Sequence, residues 1–373
     1  MKFTGIKDNL AKSLNVVQHA LSSKNVQPIL NGIYLSCKED KLTMIATDMA
    51  DDVGMRIECT IPINVLEEGH TVVEGKPFRD FVNRLPDTNI LFENDSYNGK
   101  DTMEITYGKN QVTMYGFPGY EFPKEPDMAV EHHFAIGAQT LAEVVRQTSF
   151  AVKKDDLRPI FTGLSFEVTG NELTVVGTDS FRLALMKENI NNITGKDAKV
   201  IIPVRALQEV VSIAAEDDVI GIYLSKNQVI FEMENIRLMS QLVKGTFPPY
   251  DGAIPKTHTT FFSVDRSTFK HSLERANLFS KDRTGSYVVR LLIDNGKIEI
   301  KTESETGRVN EEIEVFVEGD AVNILFNSTF LMDVLTKIHY DELDIEMSGD
   351  MGPCIIKPKN NGSYIYLLLP MRQ

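Results

Sequence analysis

The chain contains no tryptophan and only three cysteines in 373 residues. Cys37, Cys59 and Cys354 form an odd set without metal-ligand spacing. Neither a disulfide framework nor a zinc centre is expected from them, and they read as reduced, small apolar fillers. No apolar run is long enough to cross a bilayer. No secretory leader is expected before the first strand, so the reading is a cytoplasmic protein. Catalytic signatures are missing too. The chain has no GxxxxGKS/T phosphate loop, no GxSxG elbow and no HExxH pair. His132-His133 is the one histidine pair, and neighbours on a strand point to opposite faces, which makes a poor metal site. Asp51-Asp52, Asp155-Asp156 and Asp217-Asp218 read as solvated loop charge. No nucleophile stands with a base, and neither a cofactor nor a metal is expected.

What the chain has instead is one pattern written three times. Pro28-Ile29-Leu30-Asn31-Gly32 runs to Thr47-Asp48, and Pro159-Ile160-Phe161-Thr162-Gly163 runs to Thr178-Asp179. The offset is 131 residues without a gap, with seven of 21 aligned positions identical. A fainter third copy runs from Val289-Arg290-Leu291 to Thr302-Glu303. Phe3, Phe134 and Phe262 each stand seven residues before an apolar position, Leu10, Leu141 and Phe269. A second helical pattern follows in each copy, at Phe78–Val82, Leu207–Val211 and Leu331–Leu335. Long-period repetition fixes architecture before any motif is weighed, and a side chain that recurs in every copy is read as structural. Asp48 and Asp179 recur, so a turn or capping role is expected of them.

The three units are 1–127, 128–256 and 257–373, each a normal size for one domain. Apolar spacing at Leu10, Leu14, Val17 and Leu21 marks a helix after the first strand, and alternating runs such as Lys41–Ala46 mark strands. One unit reads as strand, helix and three strands, twice over. The class is α+β, with two helices per unit and antiparallel sheets.

The net charge is −14, which taken alone argues against nucleic acid. Its distribution argues otherwise. In the six helical windows (7–24, 76–84, 140–154, 203–215, 265–283 and 329–339) sixteen Lys and Arg stand against eight Asp and Glu, and the rest of the chain carries −22. Helices sharing one face would make that face basic, and sign segregation decides what a surface attracts. Lys24, Lys76, Arg79, Arg146, Lys153, Lys154, Arg205, Lys270 and Arg275 are the candidate phosphate contacts.

Arg158-Pro159-Ile160-Phe161-Thr162-Gly163, followed by Gly177-Thr178-Asp179-Ser180-Phe181-Arg182-Leu183-Ala184, resembles the middle-domain signature of bacterial β sliding clamps, the processivity subunits of DNA polymerase III. Met1-Lys2-Phe3, Gly245-Thr246-Phe247-Pro248-Pro249-Tyr250 and Leu367-Leu368-Leu369-Pro370-Met371-Arg372 resemble that family's other segments, in order along the whole chain.

The resemblance implies a non-enzymatic, DNA-clamp fold in which two subunits join head to tail around duplex DNA. Size arithmetic points the same way. Domains of about 120 residues are roughly 35 Å across. Three such globes leave a hole of only about 5 Å, whereas six leave about 35 Å, enough for a duplex about 20 Å wide.

The resemblance further implies a peptide-binding pocket. Its residues are Arg158, Phe161, Thr178, Ser180, Phe181, Arg182 and Leu183 from the second unit, Pro248 and Ala253 from the joining segment, and Leu367, Leu368, Leu369, Pro370, Met371 and Arg372 from the tail. An alternative reading of Leu367-Leu368-Leu369 is a closing core strand. Two residues depart from the family pattern: Phe181 stands where many members carry histidine or tyrosine, and Gly252 where arginine is frequent. At the subunit seam the resemblance places Val112 and Met114 against Leu278 and Phe279. The implied partners are duplex DNA without sequence preference, a second copy, the replicative polymerase, the clamp loader and repair proteins with short hydrophobic peptides; no membrane is expected. The competing readings are a carboxylate enzyme and a clamp-like decoy or resistance variant.

Overall fold

The computed structural model describes the chain apart from residues 22–26, 49–53, 98–99, 154–156, 282–284 and 373, and apart from the side chains of 96, 97 and 100. Six α-helices are present among the described residues, two in each repeat. They are α1 (Lys7–Val17), α2 (Gly75–Val82), α3 (Ala138–Thr148), α4 (Val204–Ile213), α5 (Arg266–Asn277) and α6 (Ser328–Lys337). Each repeat also has nine strands, one more than the sequence pattern suggests. The additions are short: Asn64–Glu67, Asn191–Asn192 and Val317–Gly319. Each pairs at the end of a sheet with the first strand of its own repeat. Segments of two to four residues are too short to show a period of two.

The recurring aromatic positions are core. Phe3, Phe134 and Phe262 are buried, as are Leu10, Leu141 and Phe269 on the first helix of each repeat. In the first repeat Phe3 stacks on Phe92 with centroids 4.8 Å apart, and Phe78 of α2 meets Phe92 edge-on. Burying a phenyl ring contributes about 2–3 kcal/mol, so each first strand is fastened to its helices by one residue type at one spacing. Tight turns set the strand register. Between Gly32–Lys38 and Lys41–Thr47 the turn residues Glu39 and Asp40 have φ of 50° and 55°, and Lys38 pairs with Lys41. In the third repeat Asn295 and Gly296 do the same, with Asp294 pairing Lys297. Two consecutive left-handed residues match the twist of the strands that they join.

The helices end before their apolar patterns do. α1 stops at Val17, and Gln18–Ala20 form a 3-10 turn before Leu21 turns extended. Tight terminal turns keep apolar residues near the core face and so prolong the pattern without prolonging the helix.

The chain divides into two compact units. One holds Met1–Gln139, Asn191–Gly195 and Arg205–Val243; the other holds Thr140–Ile190, Lys196–Val204 and Lys244–Gln373. The first contains a fourteen-stranded sheet, the second a nine-stranded and a four-stranded sheet. The middle repeat is therefore split between them. Hydrogen-bond ladders explain the split. In the first unit Ile236–Gln241 of repeat two pairs antiparallel with Met55–Pro62 of repeat one. In the second, Arg182–Asn189 of repeat two pairs with Tyr364–Leu368 of repeat three. The sheets run through the repeat boundaries without a break.

The three cysteines are free and buried. Burial pushes the Cys37 and Cys354 thiols up to about 12, which leaves them without reactive thiolate. Among the described residues no helix is long and apolar enough to cross a membrane.

Candidate functional site

The residues named for the peptide pocket all fall in the second unit. Thr178, Ser180, Phe181, Arg182 and Leu183 belong to one strained turn and the strands that it joins. Asp179 Oδ1 accepts the N–H groups of Phe181 (2.9 Å) and Arg182 (3.0 Å), and the Thr178 hydroxyl donates to the Arg182 carbonyl (2.6 Å). Between them Ser180 sits at φ 79°, a conformation that costs a non-glycine residue on the order of 1 kcal/mol. The result is that Phe181 is held out from the fold, 58% exposed. Asp179 thus has the turn role read from its recurrence. Asp48 Oδ1 accepts the Met55 N–H at 2.5 Å, joining the end of Lys41–Thr47 to the start of Met55–Pro62.

The tail lies against this turn. Leu183 pairs with Leu367 and Arg182 with Leu368 in the ladder, and the Leu369 N–H donates to the Phe181 carbonyl (2.9 Å). Farther along, the Met371 N–H donates to the Leu325 carbonyl. Leu369 is exposed, Pro370 and Met371 are half-buried, and Arg372 is exposed. Leu367 and Leu368 are 3% and 0% exposed, so these two form a closing core strand and give a ligand little surface. Alternation does not separate them because the strand is covered on both faces. Thr178, Arg182 and Leu183 are buried as well.

Arg158 and Phe161 stand at a second turn, the 3-10 turn Pro159–Phe161, which Arg158 precedes. Phe161 is buried, and the exposed Arg158 guanidinium lies over its ring at 4.4 Å from the centroid. The joining segment approaches this turn at Gly245. Its φ is 127°, and a Cβ there would lie 2.7 Å from Ile160 Cγ2, so glycine is required twice over. Pro248 and Ala253 flank Tyr250, whose ring is buried and whose hydroxyl donates to Glu167 at 3.2 Å. Burial first, and Glu167 second, raise the Tyr250 hydroxyl above its ordinary value. The joining segment is thereby anchored to the sheet that carries the pocket turn.

Arg182 is more than a wall residue. Its guanidinium reaches Asp179 through Nε (3.1 Å) and Asp333 on α6 through Nη1 (2.6 Å). It stacks over Phe330 at 4.1 Å and faces Phe150 at 5.7 Å. Burial works against its charge, but Tyr366, Asp333 and Asp179 together outweigh it and hold Arg182 above its ordinary value. Asp333, Phe330 and Phe150 were not singled out in the sequence. Asp333 lies 151 residues from Arg182, and nothing local in either segment marks the pair.

The candidate phosphate contacts are mostly paired with carboxylates. Arg79 bonds Asp80, and Arg146 bonds Glu143 and the Lys337 carbonyl at the end of α6. Arg205 meets Asp48 at 2.9 Å, Lys270 meets Glu274 at 3.5 Å, and Arg275 meets Glu311 at 2.8 Å. Lys76 is exposed at the start of α2, and Lys153 follows the Ser149–Ala151 turn after α3. Lys24 and Lys154 lie outside the described residues, as do Asp51-Asp52 and Asp155-Asp156. Asp218 Oδ2 accepts the Ala215 N–H and closes the turn after α4. His133 stacks on Tyr223 at 4.0 Å, and among the described residues no cluster of His, Cys, Asp and Glu could hold a metal ion.

Among the open strand edges of the described residues, two lie beside the residues expected at the subunit seam. Asn110–Pro118 pairs along one side with Lys100–Tyr107, but along the other only Gly116–Pro118 are paired, with Thr71–Val73. Among the described residues, 110–114 therefore have no ladder partner on that side, with Val112 and Met114 half-buried on one face. In the second unit Gly307–Glu314 ends the four-stranded sheet. Beside it, just past α5, Leu278 is 78% exposed, and Phe279 lies over Gly307.

Models of the DNA polymerase III beta subunit match the chain in three consecutive pieces: the N-terminal domain over residues 1–126, the central domain over 135–249 and the C-terminal domain over 252–372. The beta sliding clamp of Staphylococcus aureus strain Mu50 is 31% identical over 379 residues, covering 100% of this chain and 99% of that one. The beta sliding clamp of Staphylococcus epidermidis is 32% identical over 383 residues, with the same coverage. Among solved structures, the DNA polymerase sliding clamp of Bacillus subtilis superimposes with a TM-score of 0.94 at 30% identity, covering 100% of this chain and 99% of that one. The beta subunit of Streptococcus pyogenes DNA polymerase gives 0.93 at 25% identity over the whole of both chains. Fold, repeat order and whole-length identity agree: the chain belongs to the DNA polymerase III beta subunit family, the bacterial β sliding clamps.

Proposed function

We propose that two copies of the chain close head to tail into a ring around duplex DNA and tether the replicative polymerase without catalysing a reaction. The repeats 1–127, 128–256 and 257–373 serve as its three domains. The observation that supports the reading is a pair of sheet edges, at 110–114 and at Gly307–Glu314, each beside apolar side chains. One edge belongs to the first repeat and one to the third, so a head-to-tail dimer satisfies both, twice. Val112 and Met114 would then meet the partner's exposed Leu278 and the partner's half-buried Phe279, burying apolar surface that a lone chain leaves in water.

Retention on DNA would come from topology, because phosphate contacts carry no sequence information and weaken with salt. Partner proteins (polymerase, clamp loader, repair proteins) would dock short apolar peptides between the Phe181 turn, the Arg158–Phe161 turn and the tail. The test is retention. Loaded protein stays on closed circular DNA at moderate salt and leaves when the circle is cut. Equal retention on circular and linear DNA sinks the ring mechanism, and marked sequence preference sinks the contact type.

A further inference from the structure

We propose that Asp333, on α6 of the third repeat, is a positioning residue for the peptide pocket of the second repeat: through Arg182 it holds the Ser180–Phe181 turn in its binding conformation. This rests on the pocket reading above and adds a residue that no peptide needs to touch.

One chain of contacts, all within the second compact unit, links Phe181 to Asp333. Ser180 is held left-handed, at φ 79°, and Phe181 stands exposed beside it. A strained turn persists only where its surroundings over-determine it. Here the determinant is Asp179, whose Oδ1 takes two N–H groups of the turn. The other oxygen of Asp179 takes Arg182 Nε at 3.1 Å. Arg182 is itself buried, so its orientation depends on what fills its remaining donors. Asp333 fills one at 2.6 Å, and Phe330 of the same helix lies under the guanidinium plane. A planar fork bound at both ends cannot rotate without losing both partners.

The two repeat junctions make the point by contrast. At the first, the arginine is on the helix: Arg205 of α4 reaches back to Asp48, the counterpart of Asp179. At the second, the arginine is in the turn, and the helix supplies a carboxylate. The second arrangement makes the shape of the turn depend on a residue of the next repeat, and this is the turn that carries the exposed phenyl ring.

The chain has no tryptophan, so Phe181→Trp introduces the sole indole as a reporter. In that background Asp333→Asn should increase acrylamide quenching of the indole, and Asp333→Glu should restore the original value. In the chain with Phe181 intact, fluorescence anisotropy with a fluorescein-labelled synthetic hexapeptide of two leucines, a phenylalanine and polar spacers measures binding. Asp333→Asn should weaken this probe about tenfold, with recovery in Asp333→Glu and with particle mass and melting temperature unchanged.

Unchanged quenching in Asp333→Asn overturns the positioning role. Increased quenching with undiminished affinity also overturns it, since the turn's order would then not matter for binding. No binding of the probe by the unsubstituted chain brings down the pocket reading itself and the proposal with it. The quenching arm still reports turn order in that case, so the two failures are distinguishable.

Discussion

Arg205 on α4 donates to Asp48 Oδ2 at 2.9 Å, joining the second repeat to the turn that ends a strand of the first. Arg205 is half exposed and Asp48 is buried. A cation chosen for DNA from its helix position is thus also part of the junction. Removing it leaves a buried carboxylate that keeps the Met55 N–H. Arg205→Ala is expected to cost about 1 kcal/mol of stability, since the pair is partly screened, and to change duplex affinity little at physiological salt. Urea unfolding and duplex titration measure the two effects separately. A large loss of DNA affinity without loss of stability would return Arg205 to the phosphate contacts.

The same pairing bears on salt dependence. If the seven described candidate cations of each subunit, fourteen in the ring, all neutralised phosphates, the logarithm of the affinity would fall against the logarithm of salt with a slope of roughly −13. Arg79, Arg146, Arg205, Lys270 and Arg275 already have carboxylate partners. A phosphate must compete with those carboxylates, so the expected slope is much shallower. Titration of a short linear duplex from low to high salt gives the value directly. A slope near the full figure would show that the carboxylates release their cations to DNA.

α5 offers a pH-dependent prediction. Asp265 caps its N-terminus, and the Thr268 hydroxyl, then the Thr268 N–H, hold the Asp265 carboxyl below its ordinary value. A lowered carboxyl stabilises the fold only when ionised. Its contribution is present above the unfolded value near about pH 4 and is lost as pH falls through the lower folded value. Asp265→Ala should cost about 1 kcal/mol at neutral pH, and the gap to the unsubstituted chain should narrow below about pH 4. Denaturant curves of both proteins across that range decide it; a gap independent of pH would assign the loss to something other than the charged cap.

Much of the fold is local and repeated, and that part is legible in the sequence. The 131-residue offset marks the repeats, and Phe3, Phe134 and Phe262 mark the start of each core. The short strands Asn64–Glu67, Asn191–Asn192 and Val317–Gly319 are not legible, because their place is set by the sheet they join. The cleft divides in the same way. Its turns are visible as motifs, whereas Arg182–Asp333 joins segments 151 residues apart, and only the folded chain brings them together. Leu367 and Leu368 look like binding residues beside Leu369 until their burial separates them.

The dimer proposal makes a concentration-dependent prediction. Leu278 and Phe279 would supply the apolar part of each seam, next to the open edge at Gly307–Glu314. Replacing both by Ala removes two large side chains from each of two seams. At about 25 cal/mol per Å² the loss is large enough to shift a micromolar dimer toward monomers. Sedimentation across a concentration series should show twice the 41.9 kDa chain mass for the unsubstituted protein and a lower mass for the double variant. An unchanged dimer would put the seam elsewhere.

Truncation of the tail separates the pocket from the rest of the fold. Leu369 holds the Phe181 carbonyl and Met371 the Leu325 carbonyl, and both side chains lie outside the core. Leu367 and Leu368 lie inside it and close the ladder to Arg182 and Leu183. Removing Leu369 to Gln373 therefore takes one wall from the cleft and leaves the last strand in place. Two backbone hydrogen bonds are lost at the surface, at a net cost of about 1 kcal/mol each, so the truncated chain should still fold and keep its particle mass. Binding of an apolar peptide and stimulation of the polymerase should both disappear, because a short peptide draws its affinity from the few side chains that it buries. Peptide binding as tight as in the full chain would show that the cleft lies elsewhere. Dissociation or unfolding would show that the tail belongs to the core strand along its whole length.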